Sequence, residues 1–268
     1  MSIDQNTLMK LRTIQLEILD EFVRICEENN LAYFMTAGTL LGAVRHKGYI
    51  PWDDDIDIAM PHEDFEKLLD IYDNETGTNY YFLSYKSAGD IRFDYRSYAK
   101  FCKKGTVFAD NHGDPDKYTG IYIDIWPFDK SYFHIIPFQT KLINAVWKLC
   151  RLKANIDKPL KKAKYLFANI ICALFPLKTI ETLHRKLYTI FNNTKAKYIS
   201  LFSTSKYGYK KESHKLEIIF PLSKLLFEEK YYCAPGNWDV FLKEMYGNYM
   251  ELPPVEQREN HNIKYIHF

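Results

Sequence analysis

The chain has 268 residues, of which 47% are hydrophobic, 26% charged and 16% aromatic. A chain of this length buries about three quarters of its unfolded surface and needs neither disulfides nor a structural metal to stay folded. Its ordinary composition excludes disordered, collagen-like and coiled-coil classes, and a formal net charge of +2 exerts no global pull toward nucleic acid.

Residues Leu8, Leu11, Ile14, Ile18, Phe22 and Ile25 recur at steps of three and four, which predicts an amphipathic helix over 7–29. Leu31–Ala37 then reads as a strand, Gly38-Thr39 as a turn, Leu40–Arg45 as a short helix and Asp53–Met60 as a second strand. A helix start at Pro61-His62-Glu63-Asp64 leads to about Tyr72. Strands are expected over 80–85, 95–103 and 118–125, with Asp129 in the turn beyond. Residues 214–233 alternate strand and loop, Trp238–Tyr246 is a helix, and the tail from Leu252 is loop.

The near-neutral total hides an asymmetry. Residues 141–230 hold 19 Lys and Arg against 6 Asp and Glu, while the rest of the chain holds 17 against 28. This basic stretch has apolar runs at 133–138, 142–149 and 165–177. The longest is 13 residues, short of the roughly 20 that span a bilayer. Basic and aromatic residues alternate through Trp147, Lys148, Arg151, Lys153, Lys158, Lys161, Lys162, Lys164, Tyr165 and Phe167. Two readings fit: a helical subdomain with a solvated basic face, or an in-plane surface for anionic lipid. No nucleic-acid reader motif is present. Three regions follow: a core over 1–130, a basic helical insert over 131–213, and a C-terminal segment over 214–268.

Cys26, Cys102, Cys150, Cys172 and Cys233 are odd in number, widely spaced and without a Cys-x-x-Cys pair. They read as reduced thiols rather than a disulfide framework or zinc site. The polar N-terminus predicts no signal peptide and a cytoplasmic location, with peripheral attachment to the inner face of the plasma membrane if the insert binds lipid.

The chemistry is concentrated in Trp52-Asp53-Asp54-Asp55-Ile56-Asp57-Ile58. In a strand, Asp53, Asp55 and Asp57 would share one face, and three like charges there call for a cation. All-oxygen ligands without Cys or His favour Mg²⁺ or Mn²⁺. An EF-hand is excluded, because Ile58 stands where that loop requires Gly. A Gly-Thr turn at a helix start, followed by an acidic strand, suits a nucleotidyltransferase-type site: the turn cradles phosphate and the carboxylates hold the metal that bridges it. Asp124 is the candidate third carboxylate from a neighbouring strand, with a salt-bridged structural role as the alternative. Arg45 either clamps phosphate or faces solvent in a basic turn. Trp52 either stacks on a base or covers the core.

The run from Thr36 through Gly38, Thr39, Gly42, Arg45, Gly48, Trp52 and the Asp residues to Ile58 strongly resembles the signature of the LicD family, bacterial phosphocholine and phospho-alcohol transferases of surface glycans, related to fukutin-type ribitol-phosphate transferases. Phe220-Pro221-Leu222, Ala234-Pro235-Gly236-Asn237 and Tyr246–Pro254 resemble the family too. The resemblance implies an α+β fold with a nucleotidyltransferase-like mixed-sheet core, a mainly helical basic insert and a C-terminal helix-and-loop region that completes the site. It implies Mg²⁺-dependent transfer of a phosphorylated alcohol, foremost phosphocholine, from a CDP-linked donor to a hydroxyl of lipopolysaccharide, teichoic acid or capsule, with release of CMP. The acceptor can be lipid-linked. Asp53, Asp55 and Asp57 match the family's metal-binding carboxylates. Gly38, Arg45 and Trp52 fall at its donor-binding positions, and Thr39 is a candidate substrate-binding residue with Gly38 in the phosphate-cradling turn. Asp55, Asp57 and Asp124 are the candidate catalytic residues, Asp124 as base or metal ligand. A nucleotide-sugar glycosyltransferase and a non-catalytic paralogue are the competing classes.

Overall fold

The computed structural model describes residues 4–73, 78–86, 98–109, 119–153, 166–202, 208–258 and 263–268. The N-terminal periodicity becomes helix α1, Gln5–Glu28. Asp4 Oδ1 accepts the Thr7 amide at 3.0 Å and so satisfies one of the donors that a helix start leaves orphaned. Leu11, Ile18, Leu19, Phe22 and Ile25 are buried, and α1 lies against the sheet.

That sheet runs in the order β1 (Phe34–Met35), β2 (Asp57–Pro61), β6 (Tyr122–Ser131), β4 (Ala99–Lys103) and β3 (Tyr80–Leu83). Among the described residues only β2 and β6 pair in parallel, with Asp57 opposite Asp124. Their register places two acidic residues of distant sequence side by side at the same end of the sheet. Ile58, Ala59, Met60, Ile123 and Ile125 are fully buried behind them.

β6 is ten residues long and serves two layers. Its last three residues, Asp129 to Ser131, pair with β7 (Tyr198–Ser200), which in turn pairs with β8 (Ser213–Lys215). The composition change near residue 130 therefore falls inside a strand. Helix α2 (Ala37–His46) precedes β2, and α3 (His62–Asp73) follows it. The basic stretch supplies α4 (Ile136–Lys153), α5 (Leu166–Leu174) and α6 (Leu177–Thr189). Short helix α7 (Leu216–Ile219), the hairpin β9 (Ser223–Phe227) with β10 (Lys230–Ala234), and α8 (Trp238–Tyr246) return to the core. A final strand, β11 (Tyr265–His267), pairs with β5 (Val107–Ala109).

One large core joins α1, α2, α3 and the sheet with Ile219, Phe227, Ala234, Phe241 and Leu242 of the C-terminal elements. The helices of the basic stretch form smaller clusters of their own, around Ile136, Ile143 and Tyr188 and around Val146, Cys150 and Ile180.

The fold is the mixed α/β architecture with a nucleotidyltransferase-like sheet that was expected, with local differences. The second strand begins at Asp57, not Asp53, because Pro51 and Trp52 form a turn and residues 53–55 pass beside α1, while the Ile56 carbonyl accepts the Asp124 amide at 2.9 Å and leads into the ladder. Gly38 and Thr39 are not a separate turn but belong to α2. Asp129 is not in a turn. It is buried within β6, where His62 and Asn192 meet its carboxylate. β5 and β11 are too short to carry a periodic signal. Lys158, Lys161, Lys162, Lys164, Tyr165 and the strand residues 95–97 and 118 lie outside the described residues.

Candidate active site

The acidic run is a loop whose backbone is held from below by α1. Arg12 Nη2 donates to the carbonyls of Ile50 (2.9 Å), Pro51 (3.1 Å) and Asp53 (2.7 Å), and Nε adds a second bond to Asp53 at 3.2 Å. The guanidinium also lies over the Tyr49 ring at 4.7 Å. One turn further along the helix, Gln15 Nε2 donates to the Asp54 carbonyl at 2.8 Å, and the Tyr49 hydroxyl donates to Gln15 Oε1 at 3.2 Å. Burial lowers the Arg12 pKa, with Tyr49 and Asp53 opposing it. The five-donor fork suits this task because it reaches several carbonyls from one rigid plane.

The other side of the loop is held by α2 and by the hairpin. The Thr39 hydroxyl accepts the Asp57 amide at 2.8 Å, and the Thr36 amide donates to the Asp57 carbonyl at 3.1 Å. Glu228 Oε1 accepts the Tyr49 amide at 3.0 Å. α2 packs closely on the loop: a Cβ on Gly42 would come within 2.4 Å of the Gly48 carbonyl oxygen. Ala37 opens the helix at φ 45°, a left-handed conformation that L residues adopt at a cost and that marks functional sites when observed.

With the backbone so arranged, Asp53, Asp54 and Asp55 bring carboxylate oxygens within 4.8 Å of one another. This corrects the shared-face arrangement expected of a strand. Consecutive residues in a loop converge, so Asp54 joins the group, and Asp57 stands outside it at the start of β2. Trp126 Nε1 donates to Asp57 Oδ1 at 2.7 Å, and the Trp126 ring stacks on Tyr98 at 4.6 Å. Asp54 is 2% exposed, whereas Asp53 and Asp55 are half-buried. The donor set is all carboxylate oxygen and fits a hard divalent cation such as Mg²⁺ or Mn²⁺.

Asp54 and Asp55 open onto a cavity of about 110 Å³ that is also lined by Gln15, Lys100, Phe108, Tyr122 and Asp124. Asp124 thus faces the same space as the acidic loop, from the neighbouring strand. Lys100 Nζ lies 3.3 Å from Asp124 Oδ1 and 3.2 Å above the centroid of the Tyr122 ring. A space of this size takes a metal ion and a phosphate group. It does not take a whole nucleotide, which must extend along the open surface.

The expected donor-binding residues divide. Gly38 sits against the acidic loop, where a Cβ would meet Asp53 Oδ2 at 2.6 Å. Thr39 is buried, and its hydroxyl serves the Asp57 amide. Arg45 Nη1 donates to the Tyr249 carbonyl at 3.0 Å, and its Nε reaches His46 Nε2 at 3.0 Å. Burial and the nearby Arg258 lower the Arg45 pKa, and burial and Arg45 lower that of His46. Trp52 packs against the core and carries the Arg258 guanidinium over its ring at 4.8 Å. Arg45, Trp52 and Arg258 therefore form one cationic and aromatic group beside the acidic loop.

Sequence reasoning missed Arg12, Gln15, Asp54, Lys100, Trp126 and Arg258. Arg12 and Gln15 follow one another at i and i+3 on α1 in an otherwise apolar stripe, with Gln15 buried, and that was the available signal. Lys100 and Arg258 left none, since their partners are far away in sequence.

Comparison with known proteins bears on this geometry. Residues 30–188 match the family described as LicD/FKTN/FKRP, nucleotidyltransferase domain. The lipopolysaccharide cholinephosphotransferase LicD of Haemophilus influenzae is 28% identical over 267 residues, covering 96% of this chain and 97% of that protein. An uncharacterized protein of Rickettsia prowazekii is 30% identical over 124 residues, 44% of this chain and 46% of its own length.

Proposed function

Since the chain belongs to the LicD/FKTN/FKRP nucleotidyltransferase-domain family, we propose that this transferase moves a phosphorylated alcohol from a CDP-linked donor to a hydroxyl of a surface glycan. Phosphocholine is the alcohol phosphate we favour. It is the group named for the Haemophilus influenzae relative. The observation that carries the reading is the convergence of Asp53, Asp54 and Asp55 on one another, with Asp54 and Asp55 opening onto a cavity that Asp124 shares.

In this reading Asp53, Asp54 and Asp55 would hold Mg²⁺ or Mn²⁺, and Asp57 is the carboxylate beside it. When bound, the metal neutralises charge on the phosphate oxygens. Gly38 lets the donor approach the acidic loop, and Lys100 reaches phosphate oxygens in the cavity. Arg45 and Arg258 face the pyrophosphate on the open side, where the Trp52 ring carries the Arg258 guanidinium. Asp124 receives the proton of the acceptor hydroxyl. The acceptor oxygen then bonds to phosphorus in line with the breaking P–O bond, and CMP departs with the electron pair. Positioning and charge supply most of the acceleration, as in phosphoryl transfer generally.

Thermal-shift titration with CDP-choline, CDP-ribitol, CDP-glycerol, UDP-glucose and CMP, each with and without Mg²⁺, tests the donor. Mg²⁺-dependent stabilisation by CDP-choline above the others is expected, with loss of turnover by about a hundredfold or more in Asp55→Ala. Selective stabilisation by UDP-glucose would make the protein a nucleotide-sugar enzyme. Binding of no nucleotide would make it non-catalytic.

A further inference from the structure

We propose that the outer faces of α4, α5 and α6 form a docking surface for an anionic lipid membrane, on which the protein lies without crossing it. The inference does not depend on the identity of the donor. On α4, Ile136, Gln139, Ile143, Val146 and Cys150 turn inward. Phe138, Lys141, Leu142, Ala145 and Lys148 are exposed at steps of three and four, and so form one outward stripe. Phe138 is 68% exposed and Leu142 39%. Ile170, Leu174 and Phe175, on and just after α5, are exposed, Leu174 to 71%. On α6, Ile180, His184 and Tyr188 are buried, whereas Leu183 and Lys186, with Ile190 just after the helix, are exposed on another stripe. Large apolar side chains exposed on three neighbouring helices are more than the scattered single residues usual on a surface, and on α4 and α6 lysines stand among them.

Charge decides the occupant. The described residues of 136–190 include seven Lys and Arg and one acidic residue, Glu181. Neither α4 nor α5 carries an acidic side chain. A second copy of this chain docked by the same face would set these cations against the same cations, which is repulsive. An anionic bilayer offers what the surface lacks: phosphates for the lysines and an acyl boundary for the apolar tips. No described helix is long and apolar enough to cross a membrane, so attachment is in the plane. Long Lys side chains between apolar residues suit that depth, because the stem stays with the hydrocarbon while the ammonium reaches the headgroups.

The test is co-sedimentation of the full chain with vesicles of phosphatidylglycerol and phosphatidylcholine, against vesicles of phosphatidylcholine alone, at about 0.1 M and about 1 M salt. Pelleting with the anionic vesicles at low salt, and not with the neutral ones, is expected. The double variant Lys141→Ser/Lys148→Ser should bind about 30-fold more weakly, and Phe138→Ser/Leu174→Ser about tenfold or more. Both should keep the native Tm, since the side chains are exposed. Lys67→Ser/Lys224→Ser, on other elements, should bind as the native chain does. Failure to pellet with anionic vesicles, equal pelleting with neutral ones, or native-like binding by both surface double variants would overturn the proposal. So would a dimer in sedimentation velocity that Phe138→Ser/Leu174→Ser dissolves in a protein that ignores vesicles, for the face would then belong to a second copy.

Discussion

Asp53 Oδ2 stands 2.6 Å from the point where a Cβ on Gly38 would sit. No real Cβ tolerates that approach, so Gly38→Ala must displace the Asp53 carboxylate. The helix itself should accept Ala, which is the better helix former by up to about 1 kcal/mol. Gly38→Ala is therefore expected to keep or slightly raise Tm, to raise the Mg²⁺ concentration for half-maximal activity, and to lower turnover on the order of tenfold to a hundredfold. Full activity at native Mg²⁺ levels would show that Asp53 takes no part in the metal site. At this scale the sequence displayed the residue types well. Three consecutive Asp residues before an Ile-Asp-Ile run announced a cation site, and Gly38 announced a close approach. Which oxygens meet was not legible, because the period-two rule applies only within a strand and β2 starts at Asp57, after the three consecutive Asp residues. Asp54 was placed on the wrong side for that reason.

The loop holds its shape because one helix grips it. Arg12 and Gln15 of α1 bond carbonyls 38 to 41 residues away, and a bond over that separation has no local signature. The helix was legible from its apolar period, and its two functional polar residues were not. Gln15 is 2% exposed. Gln15→Leu keeps the volume but strips the Asp54 carbonyl of its donor and the Tyr49 hydroxyl of its acceptor. Urea unfolding should show a loss of about 1–3 kcal/mol, the usual cost of a buried polar group left without its partner. Arg12→Lys should lose most activity despite the conserved charge, since an ammonium cannot span three carbonyls as the guanidinium fork does. If Arg12→Lys and Gln15→Leu both retain native Mg²⁺ dependence, then α2 and the β9–β10 hairpin hold the loop alone. The parallel pairing of β2 with β6 carries the same lesson. Both strands were visible as apolar runs, and Asp124 was a candidate on its flanks, but the register that sets it opposite Asp57 belongs to the sheet and not to either segment.

Across the whole molecule, the end of the sheet far from Asp57 and Asp124 holds a charged cluster that ties the core to the basic helices. His62, at the start of α3, places Nδ1 3.0 Å from Asp129 Oδ1 and Nε2 3.4 Å from Glu66 Oε1. Asn192, just beyond α6, donates to Asp129 Oδ1 at 2.7 Å and accepts the Lys130 amide at 2.7 Å. Tyr85 donates to Glu66, and Lys86 bridges Glu66 and Asp70, while Arg185 of α6 lies over the Tyr85 ring. Burial opposes the charging of His62, but Asp129 and Glu66 outweigh it and raise its pKa from 6.5 to about 9. Burial likewise opposes the charging of Glu66, and His62, Tyr85 and Lys86 outweigh it and lower its pKa from 4.5 to about 2. A raised base stabilises the fold fully below its unfolded pKa and loses that contribution as pH climbs through the folded value; a depressed acid stabilises above its unfolded pKa and loses it as pH falls through the folded value. Both contributions are thus intact between pH 4.5 and 6.5. The His62 share is about 3 kcal/mol at most and fades as pH passes through about 9. His62→Gln should therefore lower stability most at pH 5 to 6, where the native imidazolium is fully charged, and the gap to the native chain should narrow on titration to pH 9 and above. Chemical denaturation at a series of pH values measures it. A gap that stays constant with pH would mean that His62 acts here as a neutral hydrogen-bond donor, and that the cluster joins the core to the basic helices through Asn192 and packing alone.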